Sequence, residues 1–523
     1  MAEPQPLRLA ELAATLAVAQ DHAFGQAPGA QLRACLLGQW LANDAGLSSD
    51  DAANAYWLAL LRFLGCTGHA HEVAVVFGDE ISLRSRSLLS DMGNPGDVVR
   101  VVLAHGSAVG DSPLARVRMV ASMLAGGKKA MQMNFRTGCE VADVFAARLA
   151  LPDDVRTGLA FTFERWNGHG SPHGVKGDAI PLAMRLVTLC QEAEVLSRVY
   201  GVADATDVVR RRSGKSYDPD LVSALLPRFG TLVERLDTVE PWDGVLAAEP
   251  GQHAVRDRDA FDDALAVVAD FADLKSPFTA GHSRGVAALA AEAATLAGLS
   301  DYDARTIRRA GLVHDIGRVN VPNSVWDKPS SLTRSERDRV ETHALVTEQL
   351  LRRSPALAAL EPVASAHHER TDGSGYHRRL GAAQQSLAAR LVAVADCYHA
   401  LCEDRAHRPA RLPGEAAAEV RALAKAGRLD ADAADAVLGA AGHYVGRRRT
   451  TLPCGLTARE VEVLRVLARG LTTAQIGEKL NISAKTAEHH IGHIYTKIDV
   501  STRGAAALFA IEHDLLRNAL ADC

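Results

Sequence analysis

The sequence predicts an all-α protein. Apolar residues recur at three and four through LRLAELAATLAVAQ, DDALAVVADFADL and AREVEVLRVLA, these stretches are rich in Ala, Leu, Arg and Glu, and alternating strand patterns are rare. A chain of 523 residues with 47% hydrophobic content has room for about two to four packed domains. Its net charge of −5 gives no overall field for nucleic acid or membrane, so any DNA contact must come from a local patch. The opening MAEPQPLRLAEL lacks the basic-then-apolar plan of a secretion signal, and no uninterrupted apolar run is long enough to span a bilayer. A cytoplasmic protein with no membrane partner is therefore expected. The eight cysteines are scattered without a C-x-x-C, which argues for small buried hydrophobes over a disulfide framework or zinc knuckle.

Taken in order, the helices of the first half carry His69, His71, His169 and His173 without an ordered ligand spacing. The segment 236–257, LDTVEPWDGVLAAEPGQHAVRD, has two prolines and two glycines and reads as a linker. Beyond it, AGLVHDIGRV at 310–319 delivers His314 and Asp315 to the start of a glycine-containing turn, aiming a neutral nitrogen and a carboxylate at one cation. Such a pair alone is common. Here it belongs to a series with His282, His343, His367, His368 and Asp396, most of them on otherwise apolar helical stretches, which solvated surface does not explain. Five histidines and two aspartates make a candidate metal centre.

From about Phe261 to Leu438 the ordered series H…HD…H…HH…D, joined to the loop His367-His368-Glu369-Arg370-Thr371-Asp372-Gly373-Ser374-Gly375-Tyr376, resembles the HD-GYP branch of the HD-superfamily metal phosphohydrolases. The resemblance implies metals held by His282, His314, Asp315, His343, His367, His368 and Asp396, with Asp315 bridging and Asp315 and Arg318 catalytic. It implies ligand binding by Arg370, Asp372, Gly373, Gly375 and Tyr376, and cleavage of a cyclic dinucleotide of the cyclic di-GMP class or another phosphorylated small molecule. Hard carboxylate plus imidazole ligation suits iron or manganese. Three positions depart from the family: Gly375-Tyr376-His377 replaces Gly-Tyr-Pro, Arg318 replaces lysine, and Phe278 replaces the glutamate that supplies a third metal in some members. Two divalent ions are thus expected.

The first half repeats this plan. Residues 164–185 fall without gaps on 369–390, keeping Glu-Arg, Gly168, Gly170, Leu182 and Arg185 in register, while 27–48 match 279–300 and ALLRFLG matches GLVHDIG at one common offset. The segment GKSYDPDLVSALL also resembles an HD-GYP tail. Every ligand that can be placed is gone: Ala30 stands for His282, Arg62 and Phe63 for His314 and Asp315, Thr162 and Phe163 for His367 and His368, and Gln191 for Asp396. The expected organisation is a degenerate HD-GYP-like copy at 1–245, the metal-binding copy at 255–445 and a third domain at 450–523. The first copy is expected to be a packing or dimerisation platform, or a ligand-binding regulator through GHGSPHGVKGD.

A joint at 446–456, GRRRTTLPCGL, carries the basic run Arg447, Arg448 and Arg449 and a helix-stopping Pro453. In the last block Thr457 and Glu460 form a capping box, Gly470 ends the helix, Thr472 to Gln475 repeats the signature, and Asn481-Ile482 makes a turn. Ser483 then caps a helix whose Ala487, Ile491, Ile494 and Ile498 form one apolar stripe. The spacing is that of a helix-turn-helix. With Glu460, Gly470, Ile476, Leu480, Ser483, Thr486, His490, Lys497 and Arg503 in the family's places, the block resembles the four-helix LuxR-type DNA-binding module. That resemblance implies that Lys485, Thr486, Glu488 and His489 face double-stranded DNA, that Lys497 and Arg503 lie near phosphates, and that the protein binds as a homodimer. Residues 455–523 hold eight Lys or Arg against eight Asp or Glu, so one copy is expected to bind modestly.

Two readings follow. In one, the chain is a transcription regulator whose middle domain hydrolyses a phosphodiester; in the other, that domain senses a nucleotide or metal without turnover. Retention of all seven ligands favours the first, and Arg318 and His377 favour the second.

Overall fold

The computed structural model describes residues 7–92, 94–105, 128–251, 258–443, 453–468, 470–513 and 515. The arginine run at 447–449 lies outside them. Among the described residues there is helix and turn but no strand, apart from isolated bridges. The chain forms two compact units, Met1–Tyr444 and Val445–Cys523.

In the first unit the same helical plan occurs twice. The first set comprises α1 (Leu9–Ala23), α2 (Ala30–Asp44), α3 (Ser49–Leu61), α4 (Glu80–Leu89), α5 (Lys128–Arg148) and α6 (Leu182–Tyr200). The second comprises α7 (Arg258–Asp273), α8 (His282–Leu296), α9 (Asp301–Val313), α10 (Arg334–Leu351) and α11 (Leu387–Leu401). A 3₁₀ turn follows α3 at Leu64–His69 and α9 at Ile316–Asn320. Local chemistry repeats as well. Ser48 caps α3 by accepting from Asp51 N at 3.1 Å, and Ser300 caps α9 by accepting from Asp303 N at 3.2 Å. Asp21 accepts from Gly29 N at 2.8 Å where Asp273 accepts from Ser283 N at 2.8 Å, each tying the start of the next helix.

Two glycine positions show why both halves keep the same backbone. A Cβ on Gly317 would stand 2.0 Å from His343 O, and one on Gly65 would stand 1.8 Å from Gly138 O, so each turn presses directly onto the helix behind it. Gly375 and Gly170 would likewise meet Arg370 N and Arg165 N at 2.4 Å.

The two sets share one hydrophobic core running from Leu7 through Ala364. Helix α1 is buried along its whole length apart from partly exposed His22, the signature of a helix packed between layers. It touches α2, α3, the turn 316–320 and α10. The segment read as a linker is structured: Pro241–Ala247 is helical, Trp242 and Val245 are buried, and Tyr56 donates to Val245 O at 3.0 Å. Its apolar side chains, spaced for one helical face, outweigh the prolines: Pro241 sits at the helix start, where no amide donor is needed, and Pro250 lies past the helix end.

Polar fasteners join the halves. His22 meets Asn320 at 3.2 Å, and Ser354 donates to buried Glu11 at 2.7 Å. Glu80 of α4 pairs with Lys275 and accepts from Asn323 N at 3.1 Å, with the Glu80 side chain 0% exposed and Lys275 3% exposed. Burial pushes the Lys275 ammonium below its usual range, opposed by Glu80.

In the second unit α12 (Ala458–Ala468), α13 (Thr473–Lys479), α14 (Ala484–Lys497) and α15 (Arg503–Glu512) enclose Leu464, Leu467, Ile476, Ala487 and Ile494. The predicted caps form: Thr457 N donates to Glu460 at 2.7 Å, Thr472 and Gln475 make a capping box, and Ser483 accepts from Thr486 N. Asn481, at φ +54°, turns the chain between α13 and α14.

Replacing Glu80 by Ala strands Lys275 as an uncompensated buried charge and is expected to destabilise the first unit by about 3–5 kcal/mol. The check is the midpoint of urea unfolding, with Glu80→Met/Lys275→Met expected to recover most of the loss.

Candidate metal centre and nucleic-acid interface

Helix α9 ends where His314 leaves it, and the turn held by Gly317 turns Asp315 inward. Asp315 is 2% exposed. Its carboxylate lies 3.6 Å from His314 Nε2, 3.5 Å from His343 Nε2, 3.5 Å from His367 Nε2 and 4.0 Å from His282 Nε2. On the far side, His282 Nε2 is 3.1 Å from Asp396, and His368 Nδ1 is 3.7 Å from the other oxygen of that carboxylate. The structure therefore brings together all seven predicted ligands. Two compact groups stand out among them: His343, His367 and His368 form one, and His282, His314 and Asp315 another, the ligand atoms within each lying within 4.8 Å of one another.

Backbone carbonyls fix the tautomers. Nδ1 of His314, His343 and His367 lies 2.7, 2.6 and 2.7 Å from the carbonyl oxygens of Gly311, Val340 and Ala364. A carbonyl only accepts, so each Nδ1 carries the proton and each Nε2 presents a lone pair to the centre. Burial pushes His314 down to about 4 and His343 to about 3, despite attraction to Asp315, and drives His368 well below its usual range. Against its own burial, Asp315 is held well below the usual carboxylate range by His314 and Arg318, and Asp396 by its bond to His282. Neutral imidazoles and ionised carboxylates are the metal-binding forms of both groups.

This set fits a cation. His314 Nε2 and Asp315 Oδ1 are buried without any hydrogen-bond partner, and the Nε2 atoms of His343 and His367 face each other at 3.1 Å. Buried acceptors opposed in this way are costly unless a cation lies among them.

Sequence reasoning passed over Glu403, His399 and Arg405. Glu403 accepts from His282 Nδ1 at 2.8 Å and meets His399 at 3.2 Å and Arg405 at 2.7 Å. Burial lowers the His282 pKa, but bonds to Asp396 and Glu403 overcome it and raise the group to about 9. The signal lay in the spacing, since Asp396, His399 and Glu403 recur at three and seven along one helical face.

The departures from the family pattern are accommodated. Arg318 donates to Asp315 at 3.1 Å while its guanidinium lies 3.9 Å from the Trp326 ring centre. His377 turns away from the histidine cluster and pairs with Glu348 at 2.6 Å. Phe278 packs near His71, with ring centres 6.3 Å apart. Of the loop residues, Tyr376 lies beside His368, with ring centres 4.7 Å apart, and Arg370 donates to Glu369 O at 2.9 Å. Exposed Asp372 and half-buried Gly373 form a turn closed by Ser374 N donating to Asp372 at 2.9 Å, and Gly375 permits the close crossing described above. Glu369 pins the loop by accepting from Arg378 N and Leu380 N, both at 2.8 Å.

In the second unit Lys485, Thr486, Glu488 and His489 are all exposed on α14. His493 joins them, its ring 4.2 Å from that of His489. The Thr486 hydroxyl is shared with Ser483 at 2.7 Å, helping to start the helix. Lys497 is held elsewhere: its ammonium donates to Glu460 at 2.7 Å and to Gly455 O at 3.0 Å. Arg503 is half-buried at the start of α15.

Comparison with known proteins defines the class first: the HD domain family matches residues 266–433, and the bacterial regulatory proteins of the luxR family match 455–510. The HD-domain family is metal-dependent. More particularly, the chain is 31% identical over 409 residues to the 3'3'-cGAMP-specific phosphodiesterase 3 of Vibrio cholerae, covering 77% of this chain and 88% of that protein. A crystal structure of a cyclic GMP-AMP specific phosphodiesterase from V. cholerae aligns with TM-score 0.58 and 26% identity, over 84% of this chain and 99% of that one. A cyclic di-GMP phosphodiesterase of Thermotoga maritima is 31% identical over 161 residues, 30% of this chain and 43% of that protein. The chain belongs to the HD-GYP family of HD-domain phosphodiesterases and carries a LuxR-type DNA-binding domain. Among the described residues no helix is long and apolar enough to cross a membrane.

Glu403 orients His282 without joining the two main ligand groups. Glu403→Gln is expected to weaken metal retention by about 10–100-fold, measured by competition with a chelator, while the helical circular dichroism stays unchanged.

Proposed function

We propose that the second half of the first unit hydrolyses a 3',3'-linked cyclic dinucleotide and that the LuxR-type module brings this activity to DNA as a transcription regulator. The observation that carries the reading is the set of buried imidazoles of His314, His343 and His367, turned with Nε2 inward onto the shared, ionised Asp315. His282, His314, Asp315 and Asp396 would hold one divalent ion, and Asp315, His343, His367 and His368 a second; the mixed imidazole and carboxylate donors favour iron or manganese. Bound there, the ions supply an activated water and positive charge against a phosphodiester. The protein's residues do the rest. Arg318 holds Asp315 ionised and oriented. Arg405, whose pKa is lowered by burial and by nearby Arg318, adds a second guanidinium for an anionic substrate. Tyr376 gives His368 an aromatic wall, and Arg370 and the turn through Asp372, Gly373 and Gly375 frame the nucleotide.

The substrate class follows from relatives named for 3'3'-cGAMP and for cyclic di-GMP. We assign 1–245 to a degenerate copy, 255–445 to the hydrolase and 450–523 to a DNA reader that works as a cytoplasmic homodimer. Lys485, Thr486, Glu488 and His489 face the major groove in this reading. Lys497 and Arg503 lie closer to the backbone contacts.

Two measurements test it. The chain loaded with iron or manganese should convert 3'3'-cGAMP or cyclic di-GMP to a linear dinucleotide. Chelation or Asp315→Ala should abolish the reaction together with bound metal; no turnover of either substrate by fully loaded protein would sink the hydrolase reading. On DNA, Lys485→Ala is expected to lower affinity across sequences and to reduce the slope of log K against log salt by about 1, read by fluorescence anisotropy.

A further inference from the structure

Where the second half gathers metal ligands, the first half has a cavity of about 520 Å³. Arg62 and Phe63 stand there in the register of His314 and Asp315, and Phe163 in that of His368. The rings form a continuous wall: Phe24 stacks on Phe63 at 4.1 Å, Phe135 on Phe163 at 4.3 Å, and Phe63 and Phe163 lie 6.4 Å apart. Val76, Leu83 and Leu88 extend the apolar lining.

The charge in this cavity is unbalanced. Arg62 is 4% exposed, and its Nη2 donates to Thr162 O at 2.9 Å, but its Nε and Nη1 have no hydrogen-bond partner. Among the described residues no carboxylate pairs with it. Arg84, also buried, reaches main-chain oxygens alone, at 2.7 Å from Cys66 O and 3.4 Å from Ala23 O. The two acids in the lining leave these donors unmet: Glu192 offsets part of the Arg62 charge from a distance but is bonded to Arg165 and Arg212, and Glu72 is exposed. A buried guanidinium with two unmet donors costs several kcal/mol unless an anion meets it. Guanidinium donors in one plane suit a carboxylate or a phosphate monoester, and the phenylalanine and aliphatic wall suits an apolar body.

We infer that the first half binds a small amphipathic anion, its single anionic head on Arg62 and its hydrocarbon part along the phenylalanine wall. A nucleotide fits less well, because the lining is mostly phenylalanine, valine and leucine, with Asn134, His69 and His169 the polar side chains left to meet a base edge. The site needs no metal, since the ligand positions hold Arg62, Phe63, Thr162 and Phe163.

The test uses the full-length protein and isothermal titration with decanoate, decyl phosphate and decan-1-ol. One saturable site with Kd below about 1 mM is expected for at least one of the two anions, and their comparison identifies the head group. Arg62→Met keeps the side-chain volume and should weaken that binding by at least about tenfold, the effect of losing a charge-assisted hydrogen bond. Val76→Trp changes a position that is 44% exposed, fills the opening and should weaken binding without touching the charge, which keeps the test valid if Arg62→Met fails to fold. Absence of saturable binding, equal binding of the alcohol, unchanged affinity in Arg62→Met, or displacement of the anion by 3'3'-cGAMP in a Val76→Trp-sensitive manner would each overturn the proposal.

Discussion

The carboxylate of Asp315, buried among imidazoles, is the constraint on which the second half depends. An isolated buried carboxylate is costly, and this one is held ionised against its burial by His314 and Arg318. Everything nearby serves that arrangement. The Nδ1 bonds to Gly311, Val340 and Ala364 stop the imidazoles from turning, so their lone pairs stay aimed at one point. The close approach of Gly317 to α10 fixes the distance between the turn carrying Asp315 and the helix carrying His343. The scaffold thus meets the ligation requirement through backbone hydrogen bonds and one contact that admits no side chain.

The first half, which we read as a second copy of this scaffold, carries none of these ligands at the matching positions. Gly65 presses on Gly138 as Gly317 presses on His343, and Glu164 pins its loop through His173 N at 2.7 Å much as Glu369 does through Arg378 N. Local backbone packing is alike in the two halves while the interior chemistry differs. Phenylalanines fill part of the vacated volume, and Arg62 leaves a positive charge where the other half concentrates negative charge. Helix α1 belongs to the first half but packs on the turn 316–320, and α4 lines the first-half cavity while its Glu80 holds Lys275 and Asn323. The two interiors therefore share structural elements.

Much of this was legible in the sequence. The seven candidate ligands could be singled out because most are ionisable residues on or beside apolar helical stretches, and such residues are rarely buried without a partner. The repeat we propose rests on register, with Glu164-Arg165 and Glu369-Arg370 at one offset, and the capping boxes at Thr457 and Thr472 placed the helices of the last block. Other features depend on contacts that no local pattern encodes. The apolar spacing of 241–247 was masked by flanking prolines and glycines, so a packed helix read as a linker. Glu403 and His399 look like an ordinary solvated i, i+4 pair until α8 brings His282 against them. The position of Lys497 depends on Glu460, 37 residues away. The cavity around Arg62 could not be read from the absence of ligands, because it arises from four phenylalanines that come together only when α1, the turn at 64–69, α5 and the 160–181 loop are assembled.

The departures at Arg318 and His377 weigh differently once their surroundings are known. From sequence alone both counted against a working centre. An arginine at 318 keeps the cation beside Asp315, and its flat guanidinium adds a face that stacks on Trp326, which a lysine ammonium cannot match. At 377, an imidazole in place of proline costs the loop a rigid φ, but the ring bonds to Glu348 on α10, while Arg378 reaches Ser365 at 2.9 Å. The loop is thereby tied by charge to the helix that supplies His343. Its position next to His368 rests on side-chain bonds. Both substitutions act on how the ligands are braced, and neither removes a donor atom from the centre.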